Sequence, residues 1–233
     1  MKRVTNKHCK ECKLSLINVF SNLTIEDLDK INFNKSCHFY KKGEIIYNQG
    51  NYLHGFYCLE SGIIKIYKIG PKGRKQIIKL AKKGDIIGYR SVLSKEKACS
   101  TAEVLEDVVL CQISSDVLFE LINSNPKFSV GMMKLACEEL GEANTYIANL
   151  SQKSVRERTA ELILKLKKDF GVDNNGFIKI SLNREDMAEI VGTATESFIR
   201  TLTNLKNEKI IESKGKKIKV LNDKLLKHIS EGL

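Results

Sequence analysis

The chain has 233 residues, with 39 lysines and arginines against 28 aspartates and glutamates, a formal net charge of +11. That length allows one large domain or two modest ones, with enough chain to bury a core. At 42% hydrophobic and 29% charged residues, the composition excludes a disordered or membrane-embedded chain.

The opening stretch MKRVTNKHCKECK lacks the apolar core of a signal peptide, and no uncharged apolar run reaches bilayer length. The expectation is a cytoplasmic protein with no membrane partner. Seven cysteines, an odd number, point to free thiols or metal ligands rather than a disulfide framework. The basic excess points to a polyanion and is denser late in the chain. Residues 151–233 carry 17 basic and 12 acidic side chains, against 22 and 16 over residues 1–150. Charge alone also fits a solvated lysine-rich surface.

In chain order, Leu23–Ile31 reads as a short helix entered through Thr24, with Asp27 three residues on. Glycine turns then punctuate β-favouring runs at Glu44–Tyr47, Gly55–Leu59, Ile63–Ile69, Gln76–Leu80, Asp85–Tyr89 and Val108–Ile113. Short strands at this spacing predict a sandwich, jelly roll or barrel. From Asp116 the period turns helical. Met133, Ala136, Leu140, Ala143, Ile147 and Leu150 alternate spacings of three and four, the seam of a parallel dimer helix or the inner face of a helix packed on its own domain. After a polar interruption at Ser151–Ser154, Val155–Phe170 is a further amphipathic helix ended by Gly171.

Residues 181–220 carry the most informative pattern. Asn183 caps a helix whose inner face is Met187, Ile190 and Val191, and Gly192 ends it. Thr193-Ala194-Thr195-Glu196 then reads as a capping box opening a second helix. A helix, a glycine-containing turn and a second helix form a helix-turn-helix. On the second helix Phe198, Leu202 and Leu205 share one face, while Glu196, Ile199, Arg200 and Thr203 share another. Glu196 and Arg200 lie where a recognition helix meets base edges. The bland alternatives are that Glu196 only closes the cap and Arg200 is a surface residue. Beyond them Ile210–Val220 reads as a hairpin around Lys214-Gly215-Lys216, a basic wing.

These residues resemble the bacterial transcription regulators of the cyclic-AMP receptor protein and fumarate–nitrate reduction regulator type. The resemblance runs through Tyr40-Lys41-Lys42-Gly43-Glu44, Gln49-Gly50, Ser61-Gly62, Gly84-Asp85-Ile86-Ile87-Gly88, Arg184–Gly192 and Thr195–Arg200. It implies an α+β chain: a cyclic-nucleotide-binding-like β-roll over residues 1–118, a dimerisation helix over 119–152 and a winged helix-turn-helix over 153–233. It further implies a homodimer on double-stranded DNA, meeting RNA polymerase if it activates. Glu196 and Arg200 fall where the family reads a TGA-like core, with Ile199 and Thr195 beside them. Thr195 departs from the cyclic-AMP receptor's additional arginine. Arg184, Ser197, Lys214 and Lys216 are the candidate phosphate contacts.

The family's nucleotide pocket takes a glutamate after the last glycine of its GD-x-x-G segment, and an Arg-Ser pair further on. Here those positions are Tyr89 and Cys99-Ser100, and no arginine occurs between Arg90 and Arg156. A buried phosphate without a cation is costly, so Gly88, Tyr89, Arg90 and Ser100 line a pocket not suited to cyclic AMP. Cys9, Cys12 and Cys111 match three of the four cysteines that hold a [4Fe–4S] cluster in the oxygen-sensing branch, and the fourth position is Asn18. Cys37, Cys58 or Cys99 are substitutes for it or plain buried residues. No bound metal, zinc at Cys9 and Cys12 with His8, and direct thiol oxidation stay open beside the cluster. No catalytic constellation appears. The runner-up to a DNA-binding regulator is a regulatory module acting on a protein partner.

Overall fold

The computed structural model of the protein describes residues 2–3 and 18–233. The chain divides into two compact units, Met1–Gly141 and Glu142–Leu233.

In the first unit the strands are β1 (Lys2–Arg3), β2 (Lys35–Tyr40), β3 (Ile45–Tyr47), β4 (Gly55–Ile69), β5 (Lys75–Ala81), β6 (Ile86–Ile87) and β7 (Thr101–Ser114). They form an antiparallel sheet in the order β1-β2-β7-β4-β5, with β3 on β7 and β6 on β4. The helices are α1 (Ile25–Asn34), α2 (Tyr89–Ser94), α3 (Ser115–Ser124) and α4 (Pro126–Gln152), the last continuing into the second unit. Thr24 and Asp27 close the capping box on α1 as expected.

Other local expectations are corrected. Gly55–Leu59 and Ile63–Ile69 are one strand, bent by register shifts between Leu59 and Ile64. Gly62 sits at that bend with φ +86°, and a Cβ there would collide with the Asp107 carbonyl. A glycine that reads as a turn thus carries a bulge instead. The run Asp85–Tyr89 keeps only Ile86–Ile87 as strand, because left-handed Gly88 turns the chain into α2 at Tyr89. The stretch 119–152 holds the end of α3 and all of α4, parted at Asn125–Pro126, where proline fits a first helical turn.

Alternation sorts side chains onto two core clusters. One gathers Phe56, Cys58, Ile113, Leu118, Leu121 and Phe128 with Val19 and Phe20. The other gathers Tyr47, Tyr57, Leu59, Ile64, Val104 and Leu110 inside the roll.

The second unit holds the end of α4, then α5 (Val155–Phe170), α6 (Arg184–Val191), α7 (Thr195–Asn207), the hairpin β8 (Ile211–Lys214) and β9 (Lys217–Val220), and α8 (Asp223–Ser230). Ser154 and Glu157 close a capping box on α5. Ala160, Ile163, Met187, Phe198, Leu205 and Leu226 are among its most buried apolar side chains.

Candidate DNA interface and sensor site

The side-chain oxygen of Asn183 accepts from the Asp186 amide at 2.6 Å and starts α6, and Gly192 ends it at φ 72°. The chain then turns into α7, which buries Phe198, Leu202 and Leu205 and leaves Glu196, Ile199, Arg200 and Thr203 exposed. The expected capping box on this helix is corrected: the N-cap is Ala194, and no side chain caps the helix. Starting one residue later moves Glu196 to the second helical position, and the Thr193–Glu196 box does not form. Glu196 and Arg200 are exposed side chains one turn apart on α7, the helix that follows the turn.

Around them the wing is a two-residue hairpin, with Gly215 at φ 59° and exposed Lys214, Lys216 and Lys217. Glycine meets the positive φ that such a turn requires. Arg184, a candidate phosphate contact, here donates from Nη2 to the Gly215 carbonyl at 2.8 Å and joins α6 to the wing. Burial lowers its pKa. Ser197 and Thr195 are half-buried at the start of α7.

Two arginines that the sequence did not single out brace this arrangement. Arg158 on α5 donates from Nε to the Val191 carbonyl at 2.9 Å and from Nη1 to the Lys153 carbonyl at 2.6 Å. Arg156 forks onto both carboxylate oxygens of Glu208, at 2.8 and 2.5 Å, at the end of α7. The turn between the two helices is therefore tied to α5.

On α4 all six seam residues are exposed. Met133, Leu140 and Ile147 show 59%, 62% and 64% of their surface, an apolar stripe left uncovered by the described residues.

In the roll, the candidate pocket residues Tyr89 and Ser100 are buried and Gly88 is half-buried. Tyr89 is buried and donates from Oη to Glu139 Oε2 on α4 at 2.7 Å, while Lys79 Nζ holds Oε1 at 2.6 Å. Tyr47 stacks on Tyr57 with ring centroids 5.9 Å apart and is hydrogen-bonded to buried Ser100. Burial, and for Tyr89 the bond to Glu139, push the Tyr47 and Tyr89 phenols far above their usual range, so both stay neutral. Arg90 is exposed at the surface. The charged groups joined to Tyr89 are thus a carboxylate and that carboxylate's lysine partner. Glu139 was missed because it lies 50 residues from its partner Tyr89.

Cys9, Cys12 and His8 lie outside the described residues. Cys111 is described, and where the cysteine count pointed to free thiols or metal ligands rather than a disulfide framework, it is joined by a disulfide to Cys37, directly opposite on β2. Cys58 faces Cys111 from its other side, on β4. Among the described residues no group of three or more histidines, cysteines and carboxylates is placed to hold a metal ion. The sequence as a whole is nonetheless rich in cysteine, the residue such a cluster requires. Two cysteine sulfurs meet on one rung, and a Cys-x-x-Cys pair precedes them in sequence.

A β-roll followed by a long helix and a winged helix-turn-helix is the architecture of a class of DNA-binding regulators. The sequence matches the family models of the cyclic nucleotide-binding domain over residues 37–125 and of the Crp-like helix-turn-helix domain over 157–229. Electron transport regulator A of Shewanella oneidensis is 30% identical over 220 residues, covering 92% of this chain and 87% of that protein. The fumarate and nitrate reduction regulatory protein of Vibrio cholerae is 28% identical over 222 residues, covering 92% and 87%. The solved structure of FixK2 from Bradyrhizobium japonicum shares the fold, with a TM-score of 0.76 at 22% identity over 84% of this chain and 96% of that one. The chain belongs to the Crp–Fnr family: it is a DNA-binding transcription regulator and not an enzyme. No helix among the described residues is long and apolar enough to cross a membrane.

Proposed function

We propose that the protein works as a homodimer paired along the α4 seam, binds an inverted-repeat site with a TGA-like core, and reads it through Glu196 and Arg200 in one major groove. The observation that carries this reading is the exposed pair on an uncapped recognition helix beside a lysine-tipped wing. Arginine donates two hydrogen bonds to guanine O6 and N7, and glutamate accepts from a cytosine amino group. Ile199 and Thr195 flank that core, while Arg184, Ser197, Lys214 and Lys216 set the register on phosphates. As an activator it would meet RNA polymerase through a surface of the promoter-bound dimer.

The input we propose is redox, as the names of the two relatives suggest for those proteins. Cys9, Cys12 and Cys111 would contribute thiolates to a [4Fe–4S] cluster, which supplies oxygen-sensitive redox chemistry when bound. Cyclic AMP is not the effector in this reading, because its phosphate would meet Glu139 and three tyrosines.

Footprinting on duplex DNA tests the DNA reading. Protection of a two-fold symmetric site, weakening steeply with salt, is expected. Salt-insensitive association with no protected repeat would leave a protein partner as the target.

A further inference from the structure

We propose that the first unit carries a binding site for an apolar α-amino acid, in the cleft where α2, α3 and the segment leading into β4 meet. The cleft shares no residue with the candidate nucleotide pocket or with the cysteines, so the proposal stands apart from the redox reading.

The cleft measures about 350 Å³, within the range of small-molecule sites. Leu53 before β4, Val92 on α2 and Phe119 on α3 give it an apolar wall. Ser91, Lys95 and Glu96 supply polar groups beside that wall. Residues two apart on a helix point to nearly opposite sides. Ser91 therefore turns away from Tyr89, which is the residue of α2 bonded to Glu139.

Three of these polar groups lack the partners that such groups normally find. Ser91 is only 6% exposed, yet its hydroxyl has no hydrogen-bond partner among the described residues. Buried polar side chains are nearly always satisfied, so this one is left for something that enters the cleft. Lys95 makes no ion pair among the described residues, and its ammonium lies 5.6 Å from the centre of the Phe119 ring. The Glu96 carboxylate accepts from the Ser94 hydroxyl at 3.2 Å and meets no cation among the described residues.

The backbone sets these two charges in place. Lys95 sits in the left-handed region at φ 55° and ψ 28°, a conformation uncommon for a residue with a side chain. Its amide closes α2 on the Ser91 and Val92 carbonyls, and the Glu96 amide donates to the Ser91 carbonyl at 3.1 Å. Strain of this kind collects where a side chain is held for a ligand. The turn presents a cation and an anion side by side without pairing them.

Opposite charges, an unsatisfied hydroxyl and an apolar wall suit a ligand that carries both charges next to an apolar body. An α-amino acid has that form. Its carboxylate meets Lys95 and the Ser91 hydroxyl, its ammonium meets Glu96, and its side chain packs on Leu53, Val92 and Phe119. A plain carboxylate would bring its charge beside Glu96 uncompensated, and a plain amine would do the same beside Lys95.

Calorimetric titration of the full chain with L-phenylalanine and with L-leucine tests the proposal. Both should bind wild type at one molecule per chain, and Lys95→Gly and Glu96→Gln should each weaken that binding by about tenfold or more. Glycine suits the left-handed backbone and Glu96 is exposed, so both variants should unfold at the wild-type temperature. Phenylpropionate lacks the ammonium and phenethylamine lacks the carboxylate, and each should bind wild type about tenfold more weakly than L-phenylalanine. Wild type that binds neither amino acid overturns the site, and so does binding that neither variant weakens. Either fragment binding as tightly as L-phenylalanine overturns the amino-acid assignment.

Discussion

Arg158 on α5 donates from Nε to the carbonyl of Val191, the last residue of α6, 2.9 Å away. A helix ends with carbonyls that lack partners within the helix, and a guanidinium with several donors serves this end and the Lys153 carbonyl together. Arg158→Ala should destabilise the second unit by about 1–3 kcal/mol through the bonds it strands. It should weaken binding to every DNA sequence alike, with base preference unchanged. Lysine should restore little, since one ammonium cannot reproduce the fork. Thermal unfolding and a panel of sites check both parts.

The exposed seam makes a second prediction. Replacing Leu140 and Ile147 with Asp puts charges on both sides of the proposed two-fold axis and should give monomers in sedimentation. Specific binding to an inverted repeat with half-site centres roughly 34 Å apart should fall with it. Dimers that persist in the double variant would move the interface elsewhere.

Tyr89 and Glu139 make a third. Tyr89 donates to the Glu139 carboxylate, which Lys79 also contacts, so the group beside this candidate pocket residue is an anion. Calorimetric titration with cyclic AMP should therefore give no stoichiometric binding, whereas tight one-to-one heat would show that the site rearranges to admit a phosphate.

How much of this was readable in advance follows from how far apart the deciding residues lie. The caps at Thr24 and Asn183 and the end of α6 at Gly192 depend on neighbours within four residues, and the sequence displays them. So does the split of α7 into a buried Phe198–Leu202–Leu205 face and an exposed Glu196–Arg200 face. The cap of α7 was misread because Thr193 and Glu196 have the right spacing, yet the Gly192 turn delays the helix by one residue. Strand β2 was not foreseen, since Lys35–Tyr40 mixes polar and apolar residues without clean alternation. The Cys37–Cys111 rung, the Tyr89–Glu139 bond and the Arg158 brace join residues 33 to 74 positions apart. Periodicity says nothing about such pairs, because register and packing decide them.

The wing supplies a fourth prediction. Lys216 is exposed at its tip, where a lysine meets phosphate rather than base. Lys216→Ala should weaken all sequences about equally and lower the slope of log affinity against log salt by about one unit. A change confined to one base pair would instead make it a base reader.

The most direct measurement is a matrix of affinities: wild type, Glu196→Gln and Arg200→Ala, each against a symmetric site and against that site altered one base pair at a time. Arg200→Ala should cost on the order of 1–3 kcal/mol at the intact site and lose its preference at one pair per half-site. Glu196→Gln should lose discrimination at a neighbouring G·C pair, since no cap depends on its charge. The thymine beside them should still be preferred through Ile199. If both variants weaken every site equally and keep the wild-type order of preference, α7 does not read the bases through these two residues.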